Sequence, residues 1–132
     1  MEIDIKNIKA GRKGDRRTTN KMKVLRVLNE NTYIKSLNDI KAMTTSEVSE
    51  ISGVKPINQV NQLLYRLAED QQVIWLKDSN KNIWISWRQV APSLEILKAL
   101  EQLGLNVPEW YKRAVEDNEK ERKEKKEKAN NN

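Results

Sequence analysis

The sequence predicts a mainly α fold with a small β-hairpin and a C-terminal helical extension, on three observations. Two short amphipathic segments meet at Gly53 with helix-start signals in front of each. Behind Gln72 the hydrophobic period switches from helical to alternating. After Pro92 a broad apolar band at helical spacing returns.

Residues 1–18 are expected to be a flexible basic arm. Ile3 and Ile5 alternate with Glu2, Asp4 and Lys6 as a short strand would, and Gly11 and Gly14 then frame Arg12 and Lys13, with Arg16 and Arg17 following. Such arms enter a minor groove or track phosphates, releasing about one counterion per neutralised phosphate. A solubilising tail accounts for the same composition equally well.

Residues 19–90 are read as the main domain. Thr18, Thr19 or Asn20 can cap a helix whose stripe is Met22, Leu25 and Leu28, with Val24 and Val27 at its edge. Asn29, Glu30 and Asn31 suggest its end. Tyr33, Ile34, Leu37 and Ile40 resume a helical spacing, so a second short helical piece is expected there, with Ala42 and Met43 as one short strand. Thr44 and Glu47 then match a capping box ahead of Val48 and Ile51, and Gly53 ends that helix. Pro56 suits the first turn of the next, where Ile57, Val60, Leu63, Leu64 and Leu67 make one apolar arc.

At about 100° per residue, that arc leaves Asn58, Gln59, Gln62, Tyr65 and Arg66 on the opposite side. Asn and Gln can pair bidentately with adenine edges in a major groove and Arg with guanine. An ordinary solvated face would look the same. Thr45, Ser46 and Lys55 stand at helix N-termini, where backbone amides favour a phosphate.

Val73, Ile74, Trp75, Leu76 and Lys77 pair across the turn residues 78–82 with Ile83, Trp84, Ile85, Ser86 and Trp87. If Ile74, Leu76, Ile83, Ile85 and Trp87 face the core, Trp75 and Trp84 lie on the other face and need a cover. Residues 91–115 offer one: Leu94, Ile96, Leu97, Leu100 and Leu103 form a band closed by Gly104, and a further helix carries Trp110, Tyr111, Ala114 and Val115. That band must bury against the tryptophan face or against another copy. Residues 116–132 form a charged tail in which Glu116 with Lys120, Glu119 with Lys123, Glu121 with Lys125 and Glu124 with Lys128 could carry the helix on into solvent.

The run TTSEVSEISGVKPINQVNQLLYRLAEDQQVIWLKDSNKNIWISW, residues 44 to 87, resembles a winged helix-turn-helix. The resemblance implies duplex DNA as partner, with Asn58, Gln59, Gln62 and Arg66 toward base edges. It assigns the wing residues Lys77 and Lys81, beside Asn80 and Asn82, to the DNA backbone. It also implies a homodimer joined through the terminal helices, for which Leu97, Leu100, Leu103 and Trp110 are the candidates. The expected function is a transcriptional regulator or a DNA-organising factor of a chromosome, plasmid or virus.

Composition agrees and excludes much else. A chain of 132 residues holds one modest core. Its net charge of +6 and pI near 9.5 suit a polyanionic partner. There is no Cys and no His, so thiolate and imidazole chemistry and the usual zinc ligand sets are absent. Neither a phosphate-binding loop nor a nucleotide fingerprint is built from the four glycines. No enzyme, cofactor, metal or membrane span is expected, and the expected location is the cytoplasm or association with the nucleoid. No pocket for a small-molecule effector is legible. The alternative is a winged-helix interaction module within a larger assembly, using its tryptophans as a surface. A third reading, single-stranded nucleic-acid binding, would need Trp75 and Trp84 outward for stacking.

Overall fold

The structure, a computed structural model, describes residues 14–130, with side chains over residues 19–125. Among these residues the chain is mixed α/β. Its five α-helices are α1 (Gly14–Asn31), α2 (Thr45–Ser52), α3 (Ile57–Glu69), α4 (Leu94–Gln102) and α5 (Glu109–Asn130). A two-stranded antiparallel sheet pairs β1 (Tyr33–Ser36) with β2 (Asp39–Lys41). A three-stranded antiparallel sheet has the order β3-β5-β4, from β3 (Met43–Thr44), β4 (Val73–Asp78) and β5 (Lys81–Ser86).

The β1–β2 hairpin stands where a helical piece was expected. Spacing at 34, 37 and 40 fits a helix, but Tyr33 and Ile34 favour a pleated surface and Ser36 Oγ accepts the Asn38 N–H at 3.3 Å to make the turn. Ile34 is buried opposite Ile40, whereas Leu37 and Ile40 project into water. The first helix also differs from expectation, because it reaches back to Gly14. The backbone of Arg16 and Arg17 is therefore helical, not part of a free arm. Arg12 and Lys13 lie outside the described residues. The buried stripe of α1 is Val24, Val27 and Leu28; Met22 is exposed.

Helix ends follow their local chemistry. Thr44 caps α2 in a complete capping box, its Oγ1 accepting the Glu47 N–H at 3.2 Å while Glu47 Oε1 accepts the Thr44 N–H at 3.1 Å. Gly53 closes α2 at φ 73°, a left-handed conformation that costs a glycine nothing. A left-handed glycine also ends α4, with a different bond pattern: Gly104, at φ 80°, donates its N–H to Glu101 O and the next N–H bonds Leu100 O, whereas the Gly53 N–H bonds Ser49 O. Behind α3 the left-handed position is held by Gln71, at φ 58°.

The three-stranded sheet is buried on both faces. Met43, Val73 and Trp84 point into a core with Val24, Leu28, Val48, Val60, Leu64 and Leu67 from α1, α2 and α3. Ile74 and Ile85 point the other way, into a second core with Trp87, Ile96, Leu97, Leu100, Tyr111 and Val115. This inverts the expected sides: the C-terminal helices cover the isoleucine face, and the tryptophan face meets the N-terminal helices. Strands with two interior faces read as continuous apolar runs, so alternation could not tell the sides apart. Leu97 and Leu100 are therefore consumed inside the chain. Of the expected dimerisation set only Leu103, 64% exposed, and Trp110, 49% exposed, stay outside.

Burial raises the pKa of the Tyr111 phenol above its ordinary 10.0, against a smaller lowering from a hydrogen bond at the Ser93 backbone. Its hydroxyl donates to Ala91 O at 2.8 Å. The unfolded chain releases this proton near 10 and the folded chain only higher. The contribution is thus whole below pH 10 and is lost as pH rises through the folded value. Denaturant titrations are expected to show stability falling above pH 10, with a smaller fall in Tyr111→Phe. Tyr33, raised by the Asp39 carboxylate, is left unchanged by that substitution.

The β4–β5 turn has two central residues, Ser79 at φ 48° and Asn80 at φ 72°, tighter than the expected turn over 78–82. Positive φ at both marks a type I′ turn, for which Asn-Gly is preferred. Ser79→Asn with Asn80→Gly is expected to raise stability by about 0.5–1 kcal/mol, readable as a higher Tm.

Candidate nucleic-acid interface

The apolar side of α3 is fixed by Val60, Leu63, Leu64 and Leu67, all buried. The opposite side follows from that anchoring. Asn58, Gln62 and Arg66 are exposed at i, i+4 and i+8, in one row along the helix. A rise of about 1.5 Å per residue spreads the row over roughly 12 Å. Gln59 and Arg66 flank Gln62 around a shallow depression of about 200 Å³ that also touches Leu63. Among the described residues none of these four polar side chains is bonded to another group. Ile57, expected in the apolar arc, is instead half exposed at the start of the row.

The flank of α3 beside that row is tied to the hairpin. Tyr65 stands edge-on to Trp75 and Trp84, with ring centroids at 4.8 and 5.5 Å, while the two indoles stack at 6.0 Å. Asn82 joins them: its Oδ1 accepts the Trp75 indole N–H at 2.9 Å and its Nδ2 donates to the Tyr65 hydroxyl at 3.1 Å. A second link runs from the Trp84 indole N–H to Thr45 Oγ1 at 2.9 Å, and from that hydroxyl to Asn61 Oδ1 at 3.3 Å. The hairpin, α2 and α3 are thereby locked in one arrangement.

These bonds revise the expected site. Thr45 spends its hydroxyl on Asn61 and Trp84, so it has no hydrogen left to donate to a phosphate. Asn82 has its Oδ1 and one of its two N–H groups engaged, and Tyr65 belongs to the aromatic cluster, not to the open face. With Trp84 fully buried, the outward pair of indoles needed for single-strand stacking does not exist. Ser46 and Lys55 remain exposed at the ends of α2 and α3. On the hairpin Lys77 lies over the Trp75 ring at 5.9 Å, and Lys81 is exposed opposite Asp78 in the ladder. Arg16 and Arg17 have only their backbone described.

The positioning residues Asn61, Tyr65 and Asn82 were not singled out as such by sequence reasoning. Their signal was present in the i,i+4 pair Asn61 and Tyr65, which sits between the polar and apolar arcs, where a neighbouring element must pass. Among the described residues, no cluster of acidic side chains could hold a metal ion, and no helix is long and apolar enough to cross a membrane. No family model, no curated protein and no solved structure matches this chain.

Proposed function

We propose that the chain is a winged helix-turn-helix protein that binds duplex DNA, as a transcriptional regulator or a DNA-organising factor. The observation that carries this reading is the free row Asn58, Gln62 and Arg66 on a helix whose other flank is bonded to a lysine-bearing hairpin. A helix that presents amides and a guanidinium, unpaired with other protein groups, is equipped for base edges. A row of roughly 12 Å spans three to four base pairs at 3.4 Å each. Ser46, Lys55, Lys77 and Lys81 supply phosphate contacts around it, and the N-terminal cations add to them. If two copies act together, Leu94, Leu103 and Trp110 are the exposed large apolar side chains that the extension offers to join them.

Selection of bound fragments from random duplexes tests the proposal, followed by affinity against salt for the selected and for unrelated DNA. A regulator shows a gap on the order of 10³ or more between the two; an organising factor shows one steep salt slope shared by both. Absence of duplex binding at low salt defeats the proposal. The interaction-module reading is favoured by one observation, the exposure of Trp110 and Leu103, and it predicts that outcome.

A further inference from the structure

A cleft of about 500 Å³ lies at the base of the β4–β5 hairpin, away from the turn, lined by Gln71, Gln72, Trp87, Arg88 and Trp110. It falls between the end of α3 and the start of α5, so both layers on the sheet contribute to it. We infer that this cleft is a binding site for a small aromatic anion, a flat ring bearing a carboxylate or a phosphate.

Four features point there. The Trp110 ring is half exposed, a large apolar face left in water at the mouth of a concave surface. Arg88 is exposed and has no hydrogen-bond or ion-pair partner among the described residues. Trp87 is 97% buried, being only 3% exposed, yet its indole N–H has no acceptor there either. Since no buried side-chain nitrogen or oxygen lacks a partner among those residues, this N–H must reach solvent, and the cleft is the surface that Trp87 lines. A nearly buried donor and a free guanidinium thus serve one cavity whose described lining holds no carboxylate.

The fourth feature is Gln71. It occupies a left-handed helix-end position that glycine fills behind α2 and α4, where a side chain is disfavoured. Its amide donates to Asn106 O at 3.1 Å, which fixes one wall of the cleft against the α4–α5 connection. Non-glycine residues held in this conformation are found more often at ligand sites. The ring would lie against Trp110, with its acidic oxygens toward Arg88 and the Trp87 N–H. The Gln72 amide can meet polar edges of the ring.

The test follows the indole N–H signals of the full chain by NMR during titration with benzoate and with adenosine monophosphate. Benzamide and adenosine serve as uncharged counterparts, and Trp87→Phe and Trp110→Phe assign the signals. The Trp87 and Trp110 signals are expected to move, with Kd on the order of 1 mM or tighter, while that of Trp84 stays and reports an intact fold. Arg88→Ala is expected to weaken binding about tenfold. A response to benzoate alone assigns the ligand to carboxylates, and a response to the nucleotide alone assigns it to phosphates. Equal binding of the uncharged counterparts, unchanged affinity in Arg88→Ala, or no movement of the Trp87 signal with either anion overturns the inference. None of these readouts depends on DNA.

Discussion

Trp84→Ala is expected to destabilise the chain by about 3–5 kcal/mol, the range for removing a large aromatic side chain from a core. A single domain has about 5–15 kcal/mol in total, so the variant would sit at the edge of folding. Trp84 is fully buried and takes part in three kinds of contact at once. Its ring fills the core formed with α1, α2 and α3, it stacks on Trp75 at 6.0 Å, and its N–H bonds Thr45 Oγ1 at 2.9 Å. Trp84→Phe separates these contributions: most of the apolar volume stays while the donor is lost. Its expected cost is smaller, about 1–3 kcal/mol, from the unmade hydrogen bond and residual cavity. Urea titrations of both variants provide the comparison. A cost below about 1 kcal/mol for Trp84→Ala would mean that the hairpin is not anchored through this residue.

The same residue shows what the sequence could and could not convey. Features written within a few neighbouring residues were legible: the Thr44 and Glu47 capping box, the stop at Gly53, the change of period after Gln72, and the cap at Gly104. Each depends on backbone geometry that local side chains decide. Features decided by a distant partner were not. Trp84 alternates correctly with Ile85, but which face meets which layer depends on α1 and α4, far away in the chain. Leu97 and Leu100 read as an unclaimed band because alternation alone does not show that their partners, Ile74 and Ile85, face the C-terminal helices. The β1–β2 hairpin was missed because three apolar residues satisfied helical spacing while only Ile34 is buried.

For the candidate site the division is similar. Sequence periodicity anticipated the open row on α3, since Val60, Leu64 and Leu67 had to turn inward and Asn58, Gln62 and Arg66 outward. Periodicity could not reveal that Thr45, Tyr65 and Asn82 are already bonded, because that requires the hairpin in place. The occupied groups hold α3 and the hairpin in one geometry. They are positioning residues, whereas the free ones are the candidates for contact.

That separation leads to the second large effect. Gln62→Ala with Arg66→Ala is expected to lower discrimination between selected and unrelated duplexes by roughly two to three orders of magnitude, each bidentate base contact being worth about 1–3 kcal/mol. Stability should stay within about 0.5 kcal/mol, since both side chains are exposed and neither has a partner among the described residues. Because the two lie one turn apart on the same face, the double variant can depart from the sum of the singles. Lys77→Ala with Lys81→Ala should act differently, weakening both DNAs alike and lowering the salt slope by about one unit per lost contact. Tyr65→Phe completes the contrast. It removes the hydroxyl that accepts from Asn82 while keeping the ring, so it loosens the hairpin without touching the open row. If Tyr65→Phe lowers discrimination as much as the α3 double variant does, the hairpin's placement and not the row's chemistry governs recognition. If the double variant binds and discriminates like the parent chain, α3 does not enter a groove.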